Sequence, residues 1–393
     1  MSTAAAPRSP RLRAVARENA TVTPLELFFD LVFVLALTQC TALMADEPTW
    51  SGVGKGLVIL GMLWWSWVGY SWLTSVIDPE EGAVRLAIFA AMAALLVVAE
   101  CVPEAFGDLG LLFAGGYAVV RVAHIALFMA ASRDDPGLRT SVVGLAVSTA
   151  ISTSLLVGAA FTDGGVQGGL WVLALVLDMA GPLLIGSEGW KLIPKHFAER
   201  HGLIVIIALG ESIVAIGVGA EAGVDLGVVV ASVLGMAVAA ALWWLYFDVV
   251  ALVAERRLSN AAPGREQNEI ARDSFSLLHF PMVAGIVLVA LGLKKTLGDT
   301  EDALKLVPAV ALLGGTALYL VAHVAFRWRN VHSLNRHRLG AAVVVVALLP
   351  VATEIPSLAI VAVLAALLAA LIVYETTRFG EARERLRHGA EHA

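Results

Sequence analysis

Charge, cysteine and tyrosine are all scarce in this chain. Only 15% of its 393 residues are Asp, Glu, Lys or Arg, against 59% hydrophobic residues, a balance that excludes a string of soluble domains. Two cysteines are too few for a disulfide framework, and a net charge of −6 with only five tyrosines offers no basic, aromatic surface for nucleic acid. Common enzyme signatures are missing as well: His-Glu-x-x-His, Gly-x-Ser-x-Gly and the phosphate-binding Gly-x-x-x-x-Gly-Lys-Ser/Thr do not occur. An enzyme is therefore the less favoured class, and no cofactor or metal is expected.

Long apolar runs take the place of these features. A spanning helix needs roughly 20 apolar residues, so the chain has room for about twelve. The expected fold is an all-α polytopic membrane protein, with helices over 25–44, 56–76, 85–102, 109–131, 140–160, 168–186, 201–220, 226–254, 274–292, 306–326, 338–352 and 356–374. Residues 1–24 carry Arg8, Arg11, Arg13 and Arg17 without a small-residue cleavage site, which reads as a retained cytosolic arm. Residues 25–186 form a first six-helix half, 187–200 a cytosolic loop, 201–376 a second half and 377–393 a cytosolic tail. The stretch over 338–352 is short and interrupted by Pro350, so it reads equally as a broken helix.

Sidedness follows from the basic residues. Lys55, Lys294, Lys295 and Lys305 fall in one set of loops and Arg121 inside a helix, while the rest of the 27 Lys and Arg lie in the arm, the opposite loops and the tail. The positive-inside rule then puts both termini in the cytosol, and the protein in a bacterial inner membrane in contact with its lipids.

The chain also repeats itself. GGYAVVRVAHIALF at 115–128 matches GGTALYLVAHVAFR at 314–327, Leu63-Trp64-Trp65 recurs as Leu242-Trp243-Trp244, and Glu26 to Gln39 aligns more weakly with Glu199 to Ser212. The offsets are 199, 179 and 173 residues, so helices 1, 2 and 4 correspond to 7, 8 and 10. Six helices per repeat leave both halves in one orientation, related by a pseudo-twofold axis along the membrane normal.

Charges within spans are costly, roughly 2.5–3.5 kcal/mol each at mid-membrane, and so need a reason. Glu211, near the middle of helix 7 with Gly210 and Ser212 beside it to admit a close neighbour or water, is the foremost candidate for a proton or cation site. Arg121 is the one base inside a span, with His124 one turn away, and its candidate anions are Glu211, Asp178 and Asp30. Glu26 and Asp30 share a face of helix 1; Glu26 is expected in the headgroup layer and Asp30 in a structural or relay role, with Gln39 further outward. His124 and His323 occupy equivalent places in the two halves, and Asp248 is a further buried acid. The charges break the repeat, since Asp30 aligns with Leu203, Glu211 with Thr38 and Arg121 with Leu320. Trp64, Trp65, Trp243 and Trp244 are expected to pack in the interior. Cys40 and Cys101 read as small buried hydrophobes, with a disulfide between them as the lesser alternative.

PLELFFDLVFVLALTQ at 24–39 and ERHGLIVIIALGESIVAIG at 199–217, supported by Asp78 to Arg85 and by Arg121 with His124, resemble the bacterial low temperature requirement protein A (LtrA) family. The resemblance covers nearly the whole chain outside the arm and the tail. It implies membrane location and topology, and marks Glu26, Phe28, Phe29, Asp30, Gln39, Arg121, His124, Glu199, His201, Gly202, Gly210, Glu211 and Ser212 as family motif positions without assigning a role to any.

These features lead to a proton- or ion-linked secondary transporter for a small solute. Its midplane site would be made by Glu211, Arg121 and Asp178, with His124 nearby; Asp30, Ser212, Gln39, Asp248 and His323 are the further candidate binding residues. The alternatives are a non-transporting membrane factor that uses buried charges to pin its helices, and an intramembrane enzyme acting on lipid. Neither substrate nor oligomeric state is legible.

Overall fold

The computed structural model describes residues 21–185, 189–219 and 225–388. Among them there are helices and no strands beyond a single isolated bridge. In chain order the helices are α1 (Pro24–Asp46), α2 (Trp50–Thr74), α3 (Gly82–Cys101), α4 (Gly110–Ala131), α5 (Pro136–Ala159), α6 (Gly164–Ile185), α7 (Pro194–Gly219) and α8 (Leu226–Phe247). They continue with α9 (Val250–Ser259), α10 (Arg265–Ile270), α11 (His279–Gly298), α12 (Leu306–Val331), α13 (Arg336–Ala347), α14 (Leu349–Ala352), α15 (Ser357–Arg378) and α16 (Gly380–His388).

Eleven helical segments among the described residues are long and apolar enough to cross a membrane. Large apolar side chains stand exposed along them, among them Leu96, Val122, Val147, Val172 and Val233. Water would not tolerate so many, whereas lipid does, and the chain is a multipass membrane protein. The expected span over 338–352 is instead the short α13 followed by the one-turn α14. Pro350 lacks the N–H that a continuous helix would use there.

Several helices start earlier than hydropathy implies. Trp50 opens α2 behind the Thr49 cap, and α7 begins at Pro194 rather than at 201. The ninth predicted span is preceded by polar α10 and by a π-helical stretch, Ala271–Leu277, that runs into α11. That stretch docks on α2, where the Trp64 indole donates to the Ser276 carbonyl at 2.8 Å and the Trp72 indole to the Ser276 hydroxyl at 3.0 Å. The helix expected over 226–254 breaks at Asp248 into α8 and α9.

Packing sets α2, α11 and α12 deepest in the bundle. α11 and α12 meet backbone to backbone, since a Cβ on Gly285 would lie 2.7 Å from the Gly315 carbonyl oxygen and one on Gly315 2.7 Å from that of Gly285. α1 rests on α2, α3 and α7, as α7 rests on α8, α11 and α1; α3 packs on α4 and α4 on α5, as α11 packs on α12 and α12 on α13; α2 packs on α6, as α8 does on α15. One end of the bundle carries the α2–α3, α4–α5, α6–α7, α9–α10 and α12–α13 turns. There Lys191 bonds Asp135 at 2.8 Å and, with the Leu138 N–H, holds that carboxyl below the usual carboxylate range. The opposite end joins the α11–α12 turn to the start of α15, where Ser357 N donates to the Asp302 carbonyl at 2.9 Å and Ser357 Oγ to that of Asp299 at 2.8 Å.

Candidate functional site

Among the described residues, buried charge gathers into three ion-paired clusters, a further pairing of Asp248 with α16, and one acid without an ion-pair partner. In the first, α1 meets α7. Arg200 donates from Nη1 to Glu26 at 2.9 Å and from Nη2 to Asp30 at 2.7 Å, and its guanidinium lies over the Trp67 ring at 5.5 Å. His196 Nε2 reaches both carboxylate oxygens of Glu26 at 3.0 and 3.1 Å, and the Trp67 indole donates to Asp30 at 2.8 Å. A carboxylate only accepts, so the proton of this imidazole sits on Nε2. Glu26 is 2% exposed, enclosed by the protein. Its carboxylate serves two ends at once: it closes the capping box with Thr23 and neutralises Arg200.

The second cluster answers which acid Arg121 meets. Its Nη2 donates to Asp178 at 2.9 Å and to Thr149 at 2.8 Å, while Tyr117 donates to the other Asp178 oxygen at 2.9 Å. Asp30 is taken by Arg200, and Glu211 lies apart, so the expected joint site of Glu211, Arg121 and Asp178 divides in two. His124, one turn beyond Arg121, is 1% exposed, and neither ring nitrogen has a hydrogen-bond partner of good geometry. Both side chains crowd Gly69 of α2: a Cβ there would lie 2.8 Å from His124 Cε1 and 3.2 Å from Arg121 Nη1.

The third cluster joins α13 and α15. Arg338 on α13 pairs with Glu375 on α15 through Nε at 3.0 Å and Nη2 at 2.9 Å, and donates from Nη1 to His323 Nδ1 at 2.8 Å. Arg121 is therefore not the one buried base: Arg200 and Arg338 are buried too. The second and third clusters each pair an arginine with a carboxylate and set a histidine beside the arginine. The arginine comes from α4 in one and from α13 in the other.

Glu211 is the exception to this pairing. It is 1% exposed and accepts a 2.5 Å hydrogen bond from Thr38 of α1, with no ion-pair partner among the described residues. Ser212 is buried with its hydroxyl unpartnered. A Cβ on Gly210 would meet nothing within 4 Å, so no neighbour closes on that glycine. Gln39 is half-buried and forms no hydrogen bond with these groups.

Two cavities open at the end that carries the α6–α7 turn. One, with about 50 Å³ of room, is bounded by Trp65, Gly69, Trp72, Arg121, His124 and the π-helical Arg272. The other, about 330 Å³, lies beside Asp248, His323, Arg327, Arg336, Arg338 and Glu375. At the sequence offsets of 179 and 199 residues, Gly69 aligns with Asp248, His124 with His323 and Phe128 with Arg327, so residues lining one cavity align in sequence with residues lining the other. Asp248 ends α8 and is ion-paired with Arg383 and Arg387 of α16. No group of three His, Cys, Asp or Glu among the described residues converges as a metal site.

Outside these sites, Trp64 and Trp65 are interior as expected, but Trp243 and Trp244 are 44% and 38% exposed on the outer face of α8. Cys40 and Cys101 are separately buried free thiols. Sequence reasoning missed Arg200, His196 and Arg338. The available signal was positional, because Arg200 lies 174 residues after Glu26 and 170 after Asp30, close to the repeat offset of 173 that sets α7 beside α1.

Comparison with known proteins agrees with the sequence resemblance. The model of the family described as bacterial low temperature requirement A protein (LtrA) matches residues 21–373. An uncharacterized protein of Rhizobium meliloti (strain 1021) is 31% identical over 307 residues, covering 75% of this chain and 74% of that protein. No solved structure matches. The chain belongs to the bacterial low temperature requirement A (LtrA) family.

Proposed function

We infer that this protein is a proton- or ion-linked secondary transporter of the bacterial inner membrane, built as two parallel six-helix halves. The observation that carries the reading is Glu211. A scaffold needs its buried charges paired, and the other clusters are paired, whereas this acid has the hydroxyls of Thr38 and Thr41 and no ion-pair partner among the described residues, Lys294 acting on it only from a distance. A lone acid in the interior either holds a proton or binds a cation, and one that alternates between those states can couple flux to an ion gradient.

The twofold arrangement has its own support. Thr38 and Glu211 are equivalent at the 173-residue offset and touch each other. Equivalent positions meet only at a symmetry axis, so α1 and α7 flank the axis between the halves. The twelfth crossing is the broken α13–α14 pair: α12 leaves the turn at Asp302, and the chain returns to that turn at Ser357. An even number of crossings puts both termini on the arginine-rich side, the cytosol. A phosphatase fused to the C-terminus is expected to be inactive in cells and a fluorescent protein there bright; an active phosphatase would refute this topology.

Reconstitution into liposomes with an internal pH dye tests transport. Glu211→Gln keeps the shape and the Thr38 contact but cannot ionise, and is expected to reduce proton-linked flux by about tenfold or more while leaving the protein monodisperse. Equal flux in wild type and variant would remove Glu211 from the mechanism. The rival reading, a non-transporting membrane factor, rests on the three paired clusters, and is favoured if neither protein moves protons or cations above empty liposomes.

A further inference from the structure

The smaller cavity has an unusual electrostatic composition. Two guanidinium groups and an imidazole border it, and no carboxylate does. Arg121 sits at its base, and after Nη2 has served Asp178 and Thr149, Nη1 is left beside Gly69 at the cavity wall while Nε has no partner. His124 is 1% exposed, and neither ring nitrogen has a well-aligned partner, the Gly69 backbone offering its N–H only a loose contact. Nearer the opening, Arg272 shares Asp273 with Arg329, so two cations divide one anion. The walls include Trp65, Trp72, Trp190 and Phe128. Leaving buried donors unmade is expensive, and a site that keeps them so is set for an acceptor from outside.

We propose that this cavity binds a small planar monoanion, a carboxylate of acetate size, through Arg121 Nη1 and the His124 N–H. The available room, about 50 Å³, equals that of a few waters and suits four heavy atoms rather than a nucleotide or a lipid headgroup. A planar oxyanion matches the guanidinium plane, and the aromatic walls take its apolar end. The cavity joins α2 and α4 of the first half to the π-helical turn of the second. The proposal rests on the transporter reading only for its consequence, that the anion is the solute or co-solute carried; binding stands independently.

The test is a tryptophan-fluorescence titration of the purified full-length protein with sodium acetate, using sodium chloride to hold ionic strength and acetamide as the neutral isostere. Acetate is expected to saturate the signal and acetamide to leave it unchanged. Gly69→Ala, whose methyl group intrudes on His124 and Arg121, and His124→Leu, which removes the donor, are each expected to weaken acetate by about tenfold or more, the loss of one charge-assisted hydrogen bond. Acetamide binding as well as acetate, or both variants binding acetate like wild type with unchanged size-exclusion profiles, overturns the proposal. Acetate binding without flux in liposomes would leave the site standing and remove transport; proton flux without acetate binding would do the reverse.

Discussion

Replacing Arg200 by methionine is expected to cost about 3–5 kcal/mol of stability, enough to remove most of the folded, monodisperse protein at moderate temperature. The cost does not come from losing one favourable bond. Glu26 and Asp30 are 2% and 0% exposed, and Arg200 is the guanidinium that neutralises both. Without it, His196 still serves Glu26, but Asp30 keeps only the Trp67 indole. A buried carboxylate with so little compensation is driven to take up a proton or to open the α1–α7 contact to water. Adding Glu26→Gln and Asp30→Asn to Arg200→Met is therefore expected to recover most of the loss, because amides need no counter-charge. Thermal unfolding followed by size-exclusion chromatography checks both steps. The assignment fails if the single variant matches wild type, or if the triple variant is no more stable than the single.

The same cluster shows how much of the molecule was legible beforehand. Apolar run length located most of the spans, because bilayer thickness imposes it directly. Hydropathy failed where charge is buried in pairs. Pro194 to Arg200 reads as a loop by composition, yet it opens α7, since Arg200 and His196 are satisfied by Glu26 and Asp30 far away in sequence. Arg338 was missed for the same reason, its partner Glu375 lying at the end of a long apolar helix. A one-dimensional scale prices each charge alone, whereas the bundle prices the pair. The partner of Arg121 was equally out of reach: three acids lay within plausible reach by depth, and the choice depended on Thr149 and Tyr117 standing beside Asp178. Glu211 stands apart from these pairs, bonded to Thr38 with no ion-pair partner among the described residues.

Within the Arg121–Asp178 pair the two halves of the interaction should not be equally dispensable. Each partner is at most 1% exposed, so removing either leaves an uncompensated buried group, and each single variant is expected to lose stability. The surroundings differ, however. Arg121 borders the smaller cavity, where water or an anion can approach its free nitrogens once Asp178 is gone. Asp178 borders neither of the two cavities at that end and would keep only the hydroxyls of Tyr117 and Thr149. Arg121→Met is thus expected to cost about 3–5 kcal/mol and Asp178→Asn less, with the Asn variant regaining part of its loss in acetate but not in acetamide, as mass action requires of a ligand that binds only the folded state. Combining Arg121→Met with Asp178→Leu should be milder than Arg121→Met alone, since two apolar groups leave no charge behind. Unfolding midpoints of the four proteins with and without acetate decide the matter: an Asp178→Asn loss equal to or greater than that of Arg121→Met would mean that the cavity gives the guanidinium no relief.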